Sequence, residues 1–101
     1  MVASFTRYKD YDLFIDVAKE FNKIHNYATF IGVGDGEEWQ RIHDRVVNEK
    51  VNNVLLTGLK NDVESIVEIS DIGILCTYSE GISNSVIEYM AMGKPVISTD
   101  L

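Results

Sequence analysis

Two kinds of apolar pattern alternate along this chain, and that alternation is the feature that most constrains its fold. Residues 10–24 repeat apolar side chains at helical spacing, which predicts a surface helix with one buried face. The predicted buried stripe consists of Leu13, Phe14, Val17, Phe21 and Ile24. Residues 27–34 follow as a short, nearly continuous apolar run that ends in glycine. Such a run predicts a strand that is covered on both faces.

The same alternation continues to the end of the chain. It predicts helices at residues 36–50, 61–70 and 85–93, strands at 51–58, 71–77 and 94–99, and the end of a first strand at 1–4. Short connections between alternating helices and strands favour a parallel sheet with right-handed crossovers. The predicted fold class is therefore α/β, a Rossmann-like parallel sheet with helices on both faces.

Details within the predicted helices can be tested against a structure. Glu37 and Glu38 would occupy the first turn of the second helix, where the helix dipole favours acids. An Asn/Asp cap begins the helix at 61–70, and Gly93 ends the one at 85–93. The side chains expected to pack in the core from these helices are Trp39, Ile42, Val46, Val47, Tyr89, Met90 and Met92.

Residues 1–101 read as one domain, and we expect that domain to be truncated. A doubly wound domain normally covers a strand such as 94–99 with a further helix, and the predicted first strand is clipped at its start. An uncovered apolar sheet surface favours association with a second copy. The sequence therefore predicts a fragment that self-associates.

Composition and charge narrow the class of protein. A net charge of −7 repels a nucleic-acid backbone on average, so we expect no nucleic-acid partner. No apolar run approaches the ~18 residues of a membrane span, and Cys76, the only cysteine, suits a reducing cytoplasm. Cys76 reads as a small buried hydrophobe. His25 and His43 stand alone without ligand spacing, so we expect no metal.

Small and polar residues concentrate where the predicted strands end. Because ligands of open parallel sheets bind at the carboxyl ends of the strands, these stretches are the candidate site. They are residues 4–9, 34–36, 58–61, 77–84 and 98–100. Gly32, Gly34 and Gly36 resemble part of a dinucleotide fingerprint, but Glu37 takes the place of its third glycine. A tight turn that needs positive φ is the favoured interpretation there.

Residues 79–85 have the composition of an anion-binding turn. Gly81 permits close approach of a ligand, and Ser83 and Asn84 lead into a helix whose first N–H groups are unpaired. A phosphate fits such a pocket, and one of these residues also caps the helix. Glu80 and Glu88 flank the turn, where they would repel a phosphate. From spacing alone they read as solvated carboxylates, or as acceptors for the hydroxyls of a sugar diol.

At this stretch the sequence resembles the C-terminal, donor-binding domain of the glycosyl transferases group 1 family, retaining enzymes of the GT-B fold. The family motif is a glutamate, seven residues and a second glutamate, followed by a helix and a buried strand. Here "EGISNSVIE" is followed by "YMAMGKPVIST". The resemblance extends back through "SDIGILCTYSEG", "VLLTGLKNDV" and "GDG" to "VASFTRYKDYDLFIDVAKEF", nearly the whole chain.

The resemblance implies a role for each matching residue. Glu88 would bind the ribose hydroxyls of the donor nucleotide, and Glu80 would face the transferred sugar. Lys9 matches the lysine that binds the diphosphate, although a lone lysine after a strand would otherwise read as solvated. The family's arginine corresponds to Ser4, and Arg7 is the candidate substitute. The remaining donor-binding residues would be Gly81, Ile82, Ser83 and Asn84 at the distal phosphate, Leu59, Lys60 and Asn61 at the base, and Gly34.

The resemblance also implies the reaction. A sugar would pass from a nucleotide-diphosphate sugar to an acceptor with retention, without a metal or other cofactor, in cell-envelope polysaccharide biosynthesis. The acceptor would bind an N-terminal Rossmann-like domain absent from residues 1–101, so the fragment alone would be inactive. The protein would be cytoplasmic, or peripheral at the inner face of the membrane. The alternatives are a related GT-B enzyme such as a nucleotide-sugar epimerase and a non-enzymatic flavodoxin-like binding module.

Overall fold

Helices and strands alternate along the chain in the computed structural model, which describes residues 1–78 and 84–99. The helices are α1 (Tyr11–Ile24), α2 (Trp39–Asn48), α3 (Val63–Ile69) and α4 (Asn84–Ala91). The strands are β1 (Phe30–Val33), β2 (Val54–Gly58), β3 (Gly73–Leu75) and β4 (Val96–Ser98). The predicted α/β class is confirmed, although every strand is shorter than the apolar run that predicted it.

The strands pair in parallel. β1 lies beside β2 with Phe30 opposite Val54, and β3 lies beside β4 with Gly73 opposite Val96. The first residues of the chain add to β1 through a parallel bridge between Val2 and Val33. Two hydrogen bonds support this bridge, from Ala3 N to Val33 O at 3.0 Å and from Val33 N to Met1 O at 2.8 Å. Residues 1–3 therefore pair as the predicted first strand.

The helices pack as two pairs, α1 with α2 and α3 with α4, and α4 also contacts β3 and β4. The main core lies where α1 and α2 meet the end of the first strand. Its centre is a ring stack in which the centroids of Phe5 and Tyr11 are 3.6 Å apart, and Phe14 meets Tyr11 edge-on at 5.9 Å. Phe5, Phe14 and Ile42 are at most 1% exposed. Burial of Phe5 in this core fixes the position of the loop that follows the first strand.

The buried face of α1 differs from the predicted stripe. Its buried residues are Tyr11, Phe14, Ile15 and Ala18, whereas two members of the stripe are exposed, Val17 by 41% and Ile24 by 74%. Packing in the first turn rotates the helix, because the Tyr11 hydroxyl donates to Ala3 O at 2.7 Å while its ring stacks on Phe5. The prediction was wrong for Val17 and Ile24.

Helix α2 begins later than predicted. Gly36 has a φ of +152°, which no helix contains, so Glu37 and Glu38 precede the helix instead of occupying its first turn. Ile42 is fully buried as predicted, but Val47 is 60% exposed. The prediction that Val47 packs in the core was wrong. The face of α2 that meets α1 carries charged side chains, Arg41 and Arg45, and Val47 remains exposed.

Local signals at helix ends were read correctly. Asp62 caps α3, and its carboxylate accepts from the Ser65 N–H at 3.3 Å. Gly93 ends α4 with a φ of +72°, and its N–H donates to Met90 O at 3.0 Å. Lys94 N donates to Tyr89 O at 2.8 Å, which completes a Schellman motif. Tyr89 is buried as predicted, but Met90 and Met92 are 67% and 38% exposed, so the prediction that they pack in the core was wrong.

An ion-pair network joins α1 to α2. Arg45 donates to the Asp12 carboxylate at 3.0 Å, to the Glu49 carboxylate at 2.9 Å and to Asp16. Arg41 binds the second Asp12 oxygen at 2.8 Å. Hydrogen bonds from Arg41 and Arg45 lower the pKa of Asp12, and hydrogen bonds from Arg45 and Lys19 lower that of Glu49 to about 2. Arg45 thus binds three carboxylates of this network, those of Asp12, Asp16 and Glu49.

We expect Arg45→Met to lower stability at neutral pH but not in strong acid. Because the folded-state pKa values of Asp12 and Glu49 are depressed, their contribution is present above the unfolded pKa of ~4.5 and disappears as pH falls towards 2. Loss of the partly exposed pair of Arg45 with Asp12 costs up to about 1 kcal/mol, or a Tm decrease of up to roughly 4 to 8 °C at pH 7. Thermal unfolding of wild type and variant between pH 7 and pH 2 measures the gap.

The matched control is Lys23→Met, which removes only an exposed pair with Glu20. Its effect should stay within about 0.5 kcal/mol at every pH. A wild-type advantage over Arg45→Met that persists undiminished at pH 2 would contradict the assignment.

Membrane insertion of a helix finds no support in this part of the chain. Within residues 1–78 and 84–99, no helix combines the length and the apolar character that crossing a bilayer requires.

Candidate functional site

The site begins in the loop that follows the first strand. Phe5 anchors this loop, because its N–H donates to Asp35 O at 3.0 Å and its carbonyl accepts from Glu38 N at 2.9 Å. Its ring is fully buried beneath Tyr11. Residues 4 and 6–9 are thereby held at the carboxyl ends of the strands, where the sequence placed the candidate site.

Beside this loop lies a cleft of about 240 Å³. Three strand ends form it, and its lining residues are Val2, Ala3, Ser4, Val33, Gly34, Asp35, Leu59, Lys60 and Val63. Three predicted donor-binding residues, Gly34, Leu59 and Lys60, therefore meet in one cleft, together with Ser4. Asn61 is exposed and lies outside the cleft lining.

Glycines allow the walls of the cleft to approach each other closely. Gly34 has a φ of +146°, and a Cβ there would lie 2.2 Å from Ala3 O. At Gly36 the φ is +152°, and a Cβ would lie 2.5 Å from Phe5 O. Since L side chains rarely adopt such φ values, glycine is required at both positions. The predicted tight turn with positive φ is confirmed.

Lys9 is held at the end of β3 by an antiparallel bridge with Thr77. On one side of the bridge Asp10 N donates to Cys76 O at 2.8 Å, and on the other Tyr78 N donates to Tyr8 O at 2.9 Å. Side chains of a directly opposed antiparallel pair share one face of the ladder. The half-buried Lys9 side chain and the buried Thr77 side chain therefore lie together, seven residues before α4 begins.

A second contact fixes this strand end from β4. The Thr99 hydroxyl accepts from Thr77 N at 3.1 Å and donates to Thr77 O at 3.1 Å, and Thr99 N donates to Leu75 O at 3.0 Å. The Thr77 hydroxyl in turn donates to Tyr8 O at 2.9 Å. Thr77 thus ties the Lys9 loop to both strands of the β3–β4 pair.

Helix α4 carries two predicted site residues, Asn84 at its start and Glu88 one turn later, and both are exposed. Residues four apart share a helix face, and helical side chains lean towards the N-terminus, so Glu88 extends over the turn that begins at Asn84. The neighbouring Tyr89 is 3% exposed and lies flat on Gly73, where a Cβ would come within 2.5 Å of its ring. This close packing on β3 sets the orientation of α4.

Four predicted site residues, Glu80, Gly81, Ile82 and Ser83, lie outside the described residues. They belong to the five-residue stretch between Tyr78 and Asn84. Their assigned roles stay predictions.

Cys76 is buried, at 5% exposure, as the sequence predicted. Burial, followed by the nearby Asp10 carboxylate, raises the pKa of its thiol to about 11, so it is protonated at neutral pH. Among the side chains of residues 1–78 and 84–99, no three His, Cys, Asp or Glu residues are grouped so that they could hold a metal ion. Metal independence of the whole protein stays a prediction.

Sequence reasoning missed the residues that hold the site together. Thr77, Thr99 and Tyr8 form the contacts that position Lys9, and they are joined only by long-range pairing. Polar residues at strand ends were visible in the sequence, but their partners were not. Val2 and Val63, which help to line the cleft, carry no signal that distinguishes them from core residues.

Parallel strands that alternate with helices and carry a cleft at their carboxyl ends define a Rossmann-like α/β domain. The chain belongs to the family described as glycosyl transferases group 1, whose model matches residues 1–101. The family and the GT-B fold predicted from the sequence are confirmed.

Relatives and a solved structure agree with this assignment. An uncharacterized glycosyltransferase of Methanocaldococcus jannaschii is 30% identical over 97% of this chain and 27% of its own length. The GtfA subunit of a UDP-N-acetylglucosamine–peptide N-acetylglucosaminyltransferase from Streptococcus agalactiae is 30% identical over 92% of this chain and 18% of its own. A TarM variant from S. aureus, crystallised with fondaparinux, alpha-GlcNAc-glycerol and UDP, superposes with a TM-score of 0.94 at 26% identity, covering 99% of this chain and 20% of TarM. The chain therefore spans about a quarter or less of the proteins it matches.

Proposed function

We propose that this chain is the donor-binding part of a retaining glycosyltransferase, and that it binds a nucleotide-diphosphate sugar at the carboxyl ends of its strands. The observation that carries the proposal is the bridge between Lys9 and Thr77. It holds the cation predicted to bind the diphosphate at the strand end that leads towards α4. A fixed lysine and a helix start at one edge suit a group that gains negative charge as it leaves.

The chemistry assigned to these groups is electrostatic. The Lys9 ammonium and the amides of residues 81–84 would stabilise the growing charge on the leaving nucleoside diphosphate. Glu88, one turn into α4, would accept hydrogen bonds from the ribose hydroxyls. Glu80 would face the transferred sugar. Such an arrangement needs no metal, so we propose that transfer is metal-independent.

The cleft lined by Gly34, Leu59 and Lys60 is the proposed site of the nucleobase. Leu59 is 75% exposed, so it offers apolar surface to a planar ring, while the backbone at Gly34 allows close approach. Asn61 follows Lys60 and would contact the base from the rim. Because a TarM variant was crystallised with UDP, a uridine nucleotide is the first donor to test.

The acceptor site belongs, in this proposal, to an N-terminal domain outside residues 1–101. The chain alone would then bind donor weakly and would not transfer sugar. We further propose a role in cell-envelope polysaccharide biosynthesis, in the cytoplasm or at the inner face of the membrane. TarM, whose fold the chain shares, was crystallised with alpha-GlcNAc-glycerol and UDP. No specific observation favours the two alternative functions, a nucleotide-sugar epimerase and a non-enzymatic flavodoxin-like module.

We expect Glu88→Gln to weaken donor binding by about tenfold to a hundredfold, since a hydrogen bond to a charged group contributes about 1.5 to 3 kcal/mol. Isothermal titration of UDP and UDP-sugars into the chain, and into an intact glycosyltransferase that carries it, measures the effect. Glu88 is exposed, so thermal stability should not change.

Glu64→Gln is the matched control, because Glu64 is an exposed glutamate in the first turn of another helix, α3. It should leave UDP affinity unaltered. Equal UDP affinities for wild type and Glu88→Gln would contradict the role assigned to Glu88. If no nucleotide bound the intact protein, the proposed function would be wrong.

Self-association is a separate proposal, based on apolar side chains that the fold leaves exposed. Ile87 and Met90 of α4 are 51% and 67% exposed, and Ile97 of β4 is 59% exposed. Exposed apolar area of this kind favours association with a second copy.

A further inference from the structure

Tyr78 contacts the chain on both sides of Lys9. On one side, Tyr78 N donates to Tyr8 O at 2.9 Å. On the other side, the Tyr78 hydroxyl lies by the Asp10 carboxylate, whose negative charge, together with a hydrogen bond between the two side chains, raises the pKa of that hydroxyl. Lys9 is the residue between Tyr8 and Asp10. A single residue of the β3 end thus binds both neighbours of the lysine assigned to the diphosphate.

Lys9 lies where a turn meets the start of a helix. Its N–H donates to Thr6 O at 3.1 Å, which closes the turn. An isolated antiparallel bridge joins Lys9 to Thr77, and α1 begins two residues after Lys9. The rotamers open to a side chain depend on its backbone dihedrals. Because the bridge does not continue into a ladder, the contacts of the two flanking residues are needed to fix the backbone of Lys9.

Asp10 can hold the start of α1 and the Tyr78 hydroxyl at the same time. One of its carboxylate oxygens accepts from Leu13 N at 3.0 Å, which makes Asp10 the N-cap of the helix. An ionised carboxylate has two oxygens and about four acceptor positions, so a hydroxyl can bind as well. Asp10 N also donates to Cys76 O at 2.8 Å. A rotation of the backbone at Lys9 would pull Asp10 away from these partners.

The Tyr78 hydroxyl has charged surroundings although the residue is 64% exposed. Besides Asp10, the charges of Asp12 and Arg41 act on its pKa. Arg41 binds Asp12 at 2.8 Å, which leaves Asp10 as the acceptor for the hydroxyl. A hydrogen bond to an ionised acceptor is stronger than one between neutral groups. Since the ring itself is exposed, removal of the hydroxyl should alter this contact and little of the packing.

We propose that Tyr78 is a positioning residue for Lys9, and that it holds the residues on either side so that the ammonium group stays directed at the donor diphosphate. The inference rests on the proposed function, because it assumes that Lys9 binds that diphosphate. A charge held in place stabilises a transition state better than one that must reorganise. The Tyr78 hydroxyl therefore contributes to catalysis only through Lys9.

A double-mutant cycle of Tyr78→Phe and Lys9→Met tests this role in an intact glycosyltransferase that carries the chain. Activity is measured as the steady-state release of UDP from UDP-glucose or UDP-N-acetylglucosamine. We expect Tyr78→Phe to lower kcat by about fivefold to twentyfold, because small displacements of a preorganised group are costly, and to leave the donor KM within about twofold. In the Lys9→Met background the same change should leave kcat within about twofold, since no ammonium group remains to be positioned.

Tyr27→Phe is the matched control. Tyr27 is 76% exposed and lies beside Phe21 and His25 at the other end of α1, so kcat should not change. Both Phe variants should unfold within about 4 °C of wild type. A kcat that Tyr78→Phe leaves unaltered would overturn the inference. Equal reductions in kcat with and without the Lys9 ammonium would overturn it too, because the hydroxyl would then act independently of Lys9.

NMR of the lysine side chains separates this inference from the proposed function. Reductive methylation with isotope-labelled formaldehyde keeps each lysine charged, and Lys9→Met identifies the Lys9 signal. We expect Tyr78→Phe to shift or broaden that signal and to leave the signal of the exposed Lys50 unchanged. An unaltered Lys9 signal in a protein that binds UDP would overturn the positioning role alone. An altered Lys9 signal in a protein that binds no UDP would support the positioning of Lys9 by Tyr78 and contradict the proposed function.

Discussion

Gly34→Ala is expected to lower the free energy of unfolding by about 3 to 5 kcal/mol. A Cβ at this position would lie 2.2 Å from Ala3 O, and the φ of +146° is one that L side chains rarely adopt. Backbone strain of this kind costs about 1 to 3 kcal/mol, and forcing atoms into a packed region costs a similar amount. Neither term is easily relieved, because Ala3 is itself bonded to Val33 in the first strand.

Urea denaturation of wild type and variant measures this effect. Gly93→Ala is the matched control: Gly93 also has positive φ, +72°, but no atom lies within 4 Å of the Cβ it would gain. The control should cost only about 1 kcal/mol, from the backbone conformation alone. If the two variants lost equal stability, the close approach of Gly34 to Ala3 would not be the cause. A Gly34→Ala chain that does not fold while Gly93→Ala does would agree with the prediction.

Lys9→Met is expected to reduce kcat for sugar transfer by between about 100-fold and 1,000-fold in an intact glycosyltransferase that carries this chain. The proposed role of Lys9 is to neutralise charge that develops on the leaving diphosphate, and removal of one such group from a preorganised site costs this much. Met retains the length and apolar stem of the lysine, so packing near Thr77 should change little. Steady-state kinetics with the donor varied separate kcat from KM.

A lysine outside the site provides the comparison. Lys50→Met removes an exposed cation at the turn after α2 and should leave kcat within about twofold of wild type. Equal reductions in the two variants would indicate a nonspecific charge effect and not a role at the diphosphate. If Lys9→Met raised only the donor KM and left kcat intact, Lys9 would bind the ground state without acting on the transition state.

Much of the local structure was predictable from single residues. Asp62 before α3 and Gly93 after α4 act as caps because their own side chain or φ satisfies the helix end. The glycines at 34 and 36 form the tight turn with positive φ that the sequence favoured. Such features involve residues close in sequence, so no knowledge of the distant chain was needed.

The exposed and buried faces of the helices were less predictable. Apolar spacing in α1 allowed a stripe that included Val17 and Ile24, but packing of Tyr11 on Phe5 selected an adjacent face. Apolar periodicity limits the buried face to a sector of the helix, and the partner surface chooses within it. For the same reason Met90 was expected in the core and is exposed, while Tyr89 packs on Gly73.

The sequence by itself determined the α/β class, the order of its elements and the family, because these depend on periodicity and on motifs read along the chain. Only the tertiary structure decided that Lys9 bridges Thr77, that Gly34, Leu59 and Lys60 share one cleft, and that Tyr78 N bonds to Tyr8 O. Each of these contacts joins residues at least 25 positions apart. Pairing over such distances depends on how whole elements pack, so a pattern read in a local window does not contain it.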